Sequence, residues 1–267
     1  MKMQVLVATM HRKDHDLLEQ MNIQCDAVVG NQCDENRVEH FTWEGRDITW
    51  LSFAERGVGL NRNTALQRAT ADVCLFADDD MRYYDGYTDM VERAFRQKPD
   101  ADGFIFNVDT LGGDRKRRMN HAVKRVRWYN ALNYSAPRIV VKNEAILREN
   151  LCFHRCFGGG TSYSCGEDTL FITDMLKRGL KLYTWPESLA QVDQSDSSWF
   201  MGYNEKFLYD KGVLFRAVSR RWNWLLCLQD LVRHPHNYRN GGFTFRQAWR
   251  LMRRGAKGFN QLRSYKA

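Results

Sequence analysis

Short apolar runs alternate along this chain with helix-forming stretches, and that spacing is the tightest constraint on what it can fold into. MQVLVATM (residues 3–10), CDAVVGNQ (25–32) and VCLFA (73–77) are short and carry β-branched or aromatic residues. Each is followed by a polar turn, and runs of that kind read as strands buried on both faces. DHDLLEQMN (14–22) and GVGLNRNTALQRATA (57–71) lie between them and suit helices, while HFTWEGRDITWLSF (40–53) alternates apolar and polar residues and reads as one further strand. Strands and helices in this order predict an α/β fold with a mostly parallel sheet, in which ligands sit beyond the carboxyl ends of the strands.

The same reading continues with a helix over 85–97, a strand GFIFNVD (103–109) and a polar, basic linker over 112–137. A strand RIVVK (138–142) and a short helix NEAILREN (143–150) follow. Beyond them come a Gly-rich loop, the pair Glu167-Asp168, a helix over 169–178 stopped by Gly179, and a strand ending at Trp185-Pro186. Past Glu205 the pattern turns helical, amphipathic and basic, which divides the chain into a sheet domain over 1–205 and a helical region over 206–267.

Three acids, Asp78, Asp79 and Asp80, close the strand VCLFA. Adjacent carboxylates repel, so the run demands a counter-charge. Strand alternation sends Asp78 and Asp80 to one side and Asp79 to the other, which makes Asp79 the member expected to tolerate replacement best. Two converging carboxylates suit Mg²⁺ or Mn²⁺, hard cations that share oxygen ligands with substrate phosphates. The alternative is a solvated acidic turn or a helix cap. Glu167-Asp168 opens its helix behind Gly158-Gly159-Gly160, where it either caps the helix dipole or faces a ligand brought close by the glycines.

The formal charge of +8 is unevenly placed: from Lys211 onward thirteen Lys and Arg face a single acid, Asp230. Phe215, Trp222, Trp224 and Leu225 lie there near Arg216, Arg220 and Arg221, and Phe245 and Trp249 near Arg246, Arg250 and Arg253. This composition suits an interfacial helix on an anionic membrane surface or a pair of helices packing on the sheet domain. Nucleic-acid binding has only charge in its favour and no recognisable motif, so no nucleic-acid partner is expected. No run approaches the roughly 20 apolar residues that span a bilayer, and nothing at the start resembles a signal peptide. The expected location is the cytoplasm, with a peripheral position on the inner face of the membrane. Seven cysteines without a regular framework suit reduced thiols, and Cys152, His154 and Cys156 fall short of the four ligands of a zinc site.

GVGLNRNTALQRATADVCLFADDDMRYYDGY resembles the central signature of family 2 glycosyltransferases of the GT-A fold, where an Arg-Asn helix start precedes a strand ending in Asp-x-Asp. GGGTSYSCGEDTLFITDMLKRGLKLY looks like that family's Glu-Asp motif opening a helix, and VLVATMH resembles its first strand and turn. The resemblance spans roughly the first 200 residues, a length consistent with one α/β domain. It implies a GT-A sheet, a nucleotide-diphosphate sugar donor, Mn²⁺ or Mg²⁺, and inversion of the anomeric carbon by direct displacement. Carried over to this sequence, Asp78 lies near the ribose and phosphates with Asp79 beside it, and Asp80 holds the metal. Glu167 adjoins the donor, Asp168 takes the proton of the attacking hydroxyl, and the backbone of Ala8 and Thr9 touches the nucleotide.

Some positions depart from the family. Its second strand usually ends in an Asp pair, where this chain has Gly30 and Asn31. Asn31 can still pair with a pyrimidine edge through one donor and one acceptor, so UDP is the favoured nucleotide. Ala8 replaces the usual proline, and a metal-ligand histidine has no match in SLAQVDQSDSSWF, where Gln191, Asp193 or water would substitute. Arg62 reads equally as a contact to the diphosphate and Asp78 or as an ordinary ion pair at a helix start. Trp199, Phe200 and Tyr203 suit an acceptor cleft or a core. Arg115, Lys116, Arg117, Arg118, Lys124, Arg125 and Arg127 suit a solvated loop or the phosphates of a lipid-linked acceptor. The expected activity is sugar transfer to a glycan or lipid-linked acceptor, as in cell-surface polysaccharide biosynthesis. A sugar-phosphate nucleotidyltransferase would want a Gly-rich loop after the first strand, and ATMHRKDHD has the charges without the glycine.

Overall fold

The computed structural model describes residues 1–111, 119–193 and 202–259. Its strands are β1 (Met3–Met10), β2 (Asp26–Gln32), β3 (Arg37–Trp43), β4 (Arg46–Phe53), β5 (Val73–Asp78), β6 (Met81–Tyr83), β7 (Gly103–Leu111), β8 (Ile139–Lys142) and β9 (Leu182–Asp193). They form one sheet in the order β3-β4-β2-β1-β5-β8-β7-β9-β6. The strands β4, β2, β1 and β5 run parallel, which lines up their carboxyl ends: Ala8 lies opposite Gly30 on one side and Asp78 on the other.

Helices α1 (Leu17–Gln20), α2 (Val58–Leu66), α3 (Tyr87–Gln97), α4 (Asn143–Arg148) and α5 (Glu167–Lys177) belong to this domain. Alternation along each strand feeds two cores, so the strands read as continuous apolar runs. Val5, Val7, Val29 and Leu75 pack with Tyr87, Val91 and Phe95 of α3. Leu6, Val28 and Phe76 pack on the opposite side with Leu66 of α2 and Phe171, Ile172 and Met175 of α5.

Four details differ from the sequence reading. The stretch HFTWEGRDITWLSF is two strands, because Glu44 (φ 49°) and Gly45 (φ 79°) form a two-residue hairpin turn between Trp43 and Arg46. Both turn residues have positive φ, as the twist of a tight hairpin requires, and alternation continues in both arms. Strand β9 does not stop at Pro186 but runs to Asp193, because the proline falls in an irregularity between the pairs Ile105–Thr184 and Asn107–Ser188. There a missing ladder N–H costs nothing, and Asn107 Nδ2 donates to the Pro186 carbonyl at 3.0 Å. Helix α5 begins at Glu167 itself. Part of the basic linker is pinned along β9: Val126 N–H donates to Leu182 O and Thr184 N–H to Lys124 O, both at 2.8 Å. Arg115, Lys116, Arg117, Arg118, Trp199 and Phe200 lie outside the described residues.

The C-terminal region forms α6 (Glu205–Val218), α7 (Asn223–Arg233), α8 (His236–Arg239) and α9 (Phe245–Gly258). Leu208, Phe215, Cys227, Leu231, Ala248 and Met252 make a core of their own. Val213 and Leu214 of α6 then pack on Phe157 and Leu170 of the sheet domain. Buried Asp210 joins the two parts as well, accepting from Ser164 N–H at 3.0 Å and Ser164 Oγ at 2.9 Å. Much of the tail's apolar surface is therefore spent on packing. Arg246, Arg250 and Arg254 remain exposed on α9, as do Trp222, Trp224 and Leu225 near the start of α7. No helix among the described residues is long and apolar enough to cross a membrane.

Helices α6 and α9 approach at a pair of glycines. A Cβ on Gly212 would lie 1.9 Å from the Met252 carbonyl oxygen, and one on Gly255 would lie 2.0 Å from that of Tyr209. Gly212→Ala is expected to cost about 1–3 kcal/mol by overpacking against backbone that has little room to move. Thermal unfolding measures this, and an unchanged Tm would contradict the crossing.

Candidate active site

The site grows from three strand ends and two helix starts. Strand β5 delivers Asp78 as its last residue, and Asp79 and Asp80 follow in the turn before β6. Because the strand ends at Asp78, alternation does not govern the other two, and all three acids line one cleft of about 430 Å³. The expectation that Asp79 turns away is thereby corrected: its Oδ2 accepts from Thr9 Oγ1 at 2.5 Å and lies 3.6 Å from Arg12. Strand β6 ties the chain after the acids to β9, where Asp193 N–H donates to the Asp80 carbonyl at 3.3 Å.

Helix α2 brings three consecutive polar residues into the interior. Asn61 Nδ2 donates to the Gly30 carbonyl at 2.8 Å and to that of Thr9 at 3.2 Å, clipping the ends of β1 and β2 together. Its side chain takes the space that a Cβ on residue 30 would need, which accounts for glycine where an acid was expected. Asn63 clamps the backbone of Phe153 in both directions, at 2.7 and 2.9 Å. Arg62, only 4 % exposed, forks between Asp78 Oδ1 at 2.6 Å and Glu167 Oε1 at 2.9 Å. Burial works against its charge, but the two carboxylates outweigh that and raise its pKa, so it stays cationic. Arg62 is thus a buried keystone rather than a surface ion pair.

Helix α5 supplies the opposing wall. Glu167 is buried, accepting from Arg62 and from Gly166 N–H at 3.1 Å. A Cβ on Gly158 would stand 2.6 Å from Glu167 Oε2 and 2.5 Å from Val58, at a φ of 97°. That glycine therefore makes room for the carboxylate, while its neighbour Gly159 lines the cleft. Asp168 is half-buried, its Oδ1 accepting from Thr169 N–H at 2.6 Å. Burial, and next the charge of Glu167, push its carboxyl up to about 7, against the pull of Arg62 and the Thr169 amide. A carboxylate with that pKa is suited to taking a proton near neutral pH.

Ala8, Thr9, Arg62, Asp78, Asp79, Asp80, Glu167 and Asp168 line this cleft together. Asn31 does not. Only 1 % exposed, it accepts from Arg12 N–H at 3.0 Å and donates to Arg12 O at 2.9 Å, so its amide holds the turn after β1 instead of reading a base. A second hollow of about 410 Å³, lined by Arg12, His15, Asp34 and Glu35, opens where β1 and β2 run out into their loops. Tyr203 packs edge-on against Phe207 and lines none of these cavities. Among the described residues no three His, Cys, Asp or Glu converge as a ready-made metal cluster, and the seven cysteines are free. His154 Nδ1 accepts from Cys156 N–H at 3.3 Å, which leaves the Cys152–Cys156 stretch a local turn. Sequence reasoning missed Asn61 and Asn63. Three polar residues in succession inside an otherwise apolar interval were the signal, because such groups are buried only where backbone partners meet them.

Asp168 also borders a third cavity, of about 220 Å³, that the C-terminal helices build with Lys211, Phe215, Leu226, Asp230 and Arg233. Cys165, Gly166 and Asp168 belong to both walls. The acid with the raised pKa therefore stands where the main cleft and a second chamber adjoin.

Residues 20–152 match the family model of glycosyl transferase family 2. No curated protein matches the chain. Among solved structures, S. aureus TarS 1–349 in complex with UDP-GlcNAc is similar with a TM-score of 0.65 and 16% identity, covering 93% of this chain and 78% of that one. The same protein in complex with UDP gives 0.61 and 14%, with 98% and 92% covered. The structure of S. aureus TarS gives 0.61 and 15%, covering 88% of this chain and 43% of that one. These likenesses establish the fold as that of a GT-A glycosyltransferase.

Proposed function

The chain belongs to glycosyl transferase family 2, and from that premise we propose that it moves a sugar from a nucleotide-diphosphate donor, UDP-linked by preference, to an acceptor hydroxyl with inversion. The observation that carries this reading is the position of Asp168, half-buried, with a pKa near 7, between the acid-lined cleft and the chamber under the C-terminal helices. A base for direct displacement has to reach the acceptor without belonging to the donor's own phosphate site. The donor lies in the main cleft and the acceptor in the chamber. As the acceptor oxygen forms its bond to the anomeric carbon, its proton passes to Asp168; the bond from that carbon to the diphosphate breaks, and the nucleoside diphosphate leaves with the electron pair. The nucleoside extends toward the hollow at Asp34 and Glu35, which takes over the role expected of Asn31.

The acids fit a divalent cation. Asp80, the exposed member of the three, stands beside Asp78 and Asp79 in the cleft they line together, where it offers hard oxygen donors to Mg²⁺ or Mn²⁺. Such an ion, when bound with the donor, neutralises charge that grows on the departing diphosphate. Arg62 holds the Asp78 carboxylate in place. The proposed acceptor is a glycan or lipid-linked hydroxyl of cell-surface polysaccharide synthesis.

Thermal unfolding with a panel of nucleotides and nucleotide sugars, with and without Mn²⁺, tests the reading, because a ligand of the folded state raises its Tm. UDP is expected to stabilise the protein by several degrees more with Mn²⁺ than without, and Asp80→Asn to erase that increment. If no nucleotide stabilises the protein, the proposal fails.

A further inference from the structure

Beyond the chamber at Asp168 lies a larger cleft of about 470 Å³, and the two share Leu132 and Leu226 in their walls. Val126, Leu176, Leu180, Val218 and the rings of Trp128 and Trp222 line this outer cleft, together with the cations Arg125, Arg127 and Lys177 and no acid. Its two tryptophans are 71 % and 48 % exposed. Isolated exposed apolar residues need no explanation, but two large rings flanking one apolar hollow mark a binding surface. The hollow arises from a segment that the strand pairing of 124–126 with β9 brings over α5, facing the junction of α6 and α7.

We propose that this pair of cavities receives an amphiphilic acceptor, a hydroxyl-bearing head group joined through phosphate to an apolar chain. The head group lies in the inner chamber beside Asp168, Lys211, Asp230 and Arg233; the chain lies in the outer cleft; Arg125, Arg127 and Lys177 answer the phosphate. The inference rests on the transferase reading and names its acceptor class. Three lines of argument select this occupant. The cleft adjoins the chamber that holds the expected base, so one molecule can occupy both. The walls combine apolar groups with charge of a single sign, which matches an anionic lipid and has no purpose for a neutral soluble sugar. A bilayer is met by a protruding apolar face, whereas this surface is concave and of ligand size.

Octyl phosphate, kept below the concentration at which it forms micelles, serves as the probe, with octanol and inorganic phosphate as its two halves. Binding is followed by tryptophan fluorescence and calorimetry on the full chain. Octyl phosphate is expected to bind the wild type at least tenfold more tightly than either half. Trp128→Ala with Trp222→Ala should weaken it about tenfold, and Arg127→Glu with Lys177→Glu should weaken octyl phosphate and leave octanol unchanged. These side chains are largely exposed, and each variant's Tm verifies that it folds. Equal affinity for octyl phosphate and inorganic phosphate would overturn the proposal, as would an undiminished affinity in the tryptophan variant. Loss of binding to phosphatidylglycerol vesicles with octyl phosphate affinity intact would assign the rings to a membrane surface and likewise overturn it. UDP binding to the wild type, measured in parallel, keeps the two readings apart: UDP bound and octyl phosphate not bound removes the acceptor inference alone, whereas UDP not bound removes the transferase reading.

Discussion

Asp168→Asn is expected to lower kcat for sugar transfer by about a thousandfold, the range lost when a positioned base is removed, and to leave UDP binding nearly unchanged. The amide keeps the shape and cannot accept the proton. The wild type should show a kcat/KM that falls tenfold per pH unit below about 7, because only the ionised carboxylate is a base. The sign for stability is opposite. An acid whose folded pKa of about 7 exceeds its unfolded value near 3.9 holds its proton more tightly when folded. That stability is present at low pH and is lost as pH rises from about 4 to 7. Asp168→Asn should therefore match or exceed the wild-type Tm at pH 8 while losing activity, an exchange common where a site holds a group under strain. Steady-state rates from pH 5 to 9 and unfolding at pH 8 measure both. Unchanged turnover would remove Asp168 from the chemistry.

The second large effect concerns stability. Arg62→Met should cost about 3 kcal/mol at pH 8, because it leaves Asp78 and Glu167 facing each other without the cation that both contact. The figure stands at the low end for a broken buried pair, since the Asp78 side chain is 35% exposed and water screens part of the loss. Arg62→Lys should not restore the wild type, because one ammonium cannot reproduce a fork that holds two carboxylates at 2.6 and 2.9 Å. Urea unfolding at pH 8 measures the difference. A deficit under 1 kcal/mol at pH 8 would show that the keystone is dispensable.

Most of the sheet domain was legible in the sequence for a physical reason: strands buried on both faces must be apolar throughout, and the polar turns between them interrupt that run. β1, β2 and β5 could be read this way. The misreadings occurred where local pattern is degenerate. A hairpin turn of Glu44 and Gly45 keeps apolar and polar residues alternating, so two strands looked like one. Pro186 looked like a strand exit because its toleration depends on Asn107, far away in the chain. Asn31 looked like a nucleotide contact because residue type reveals hydrogen-bonding capacity and not which partner uses it.

For the site, the sequence by itself determined the acids. Asp78, Asp79 and Asp80 at a strand end and Glu167-Asp168 at a helix start are local features, set by neighbouring residues along the chain. What joins them is not local. Arg62 reaches Glu167 across 105 positions of sequence, and Thr9 reaches Asp79 across 70. The raised pKa of Asp168 comes from burial and from the electrostatic balance of Glu167 and Arg62 around it, so only the assembled fold could produce it. The tail was ambiguous for the same reason, because an amphipathic helix carries the same pattern whether its apolar face meets protein or lipid. Tertiary structure decided that α6 spends Val213 and Leu214 on the sheet domain, and in doing so it built the second chamber beside Asp168.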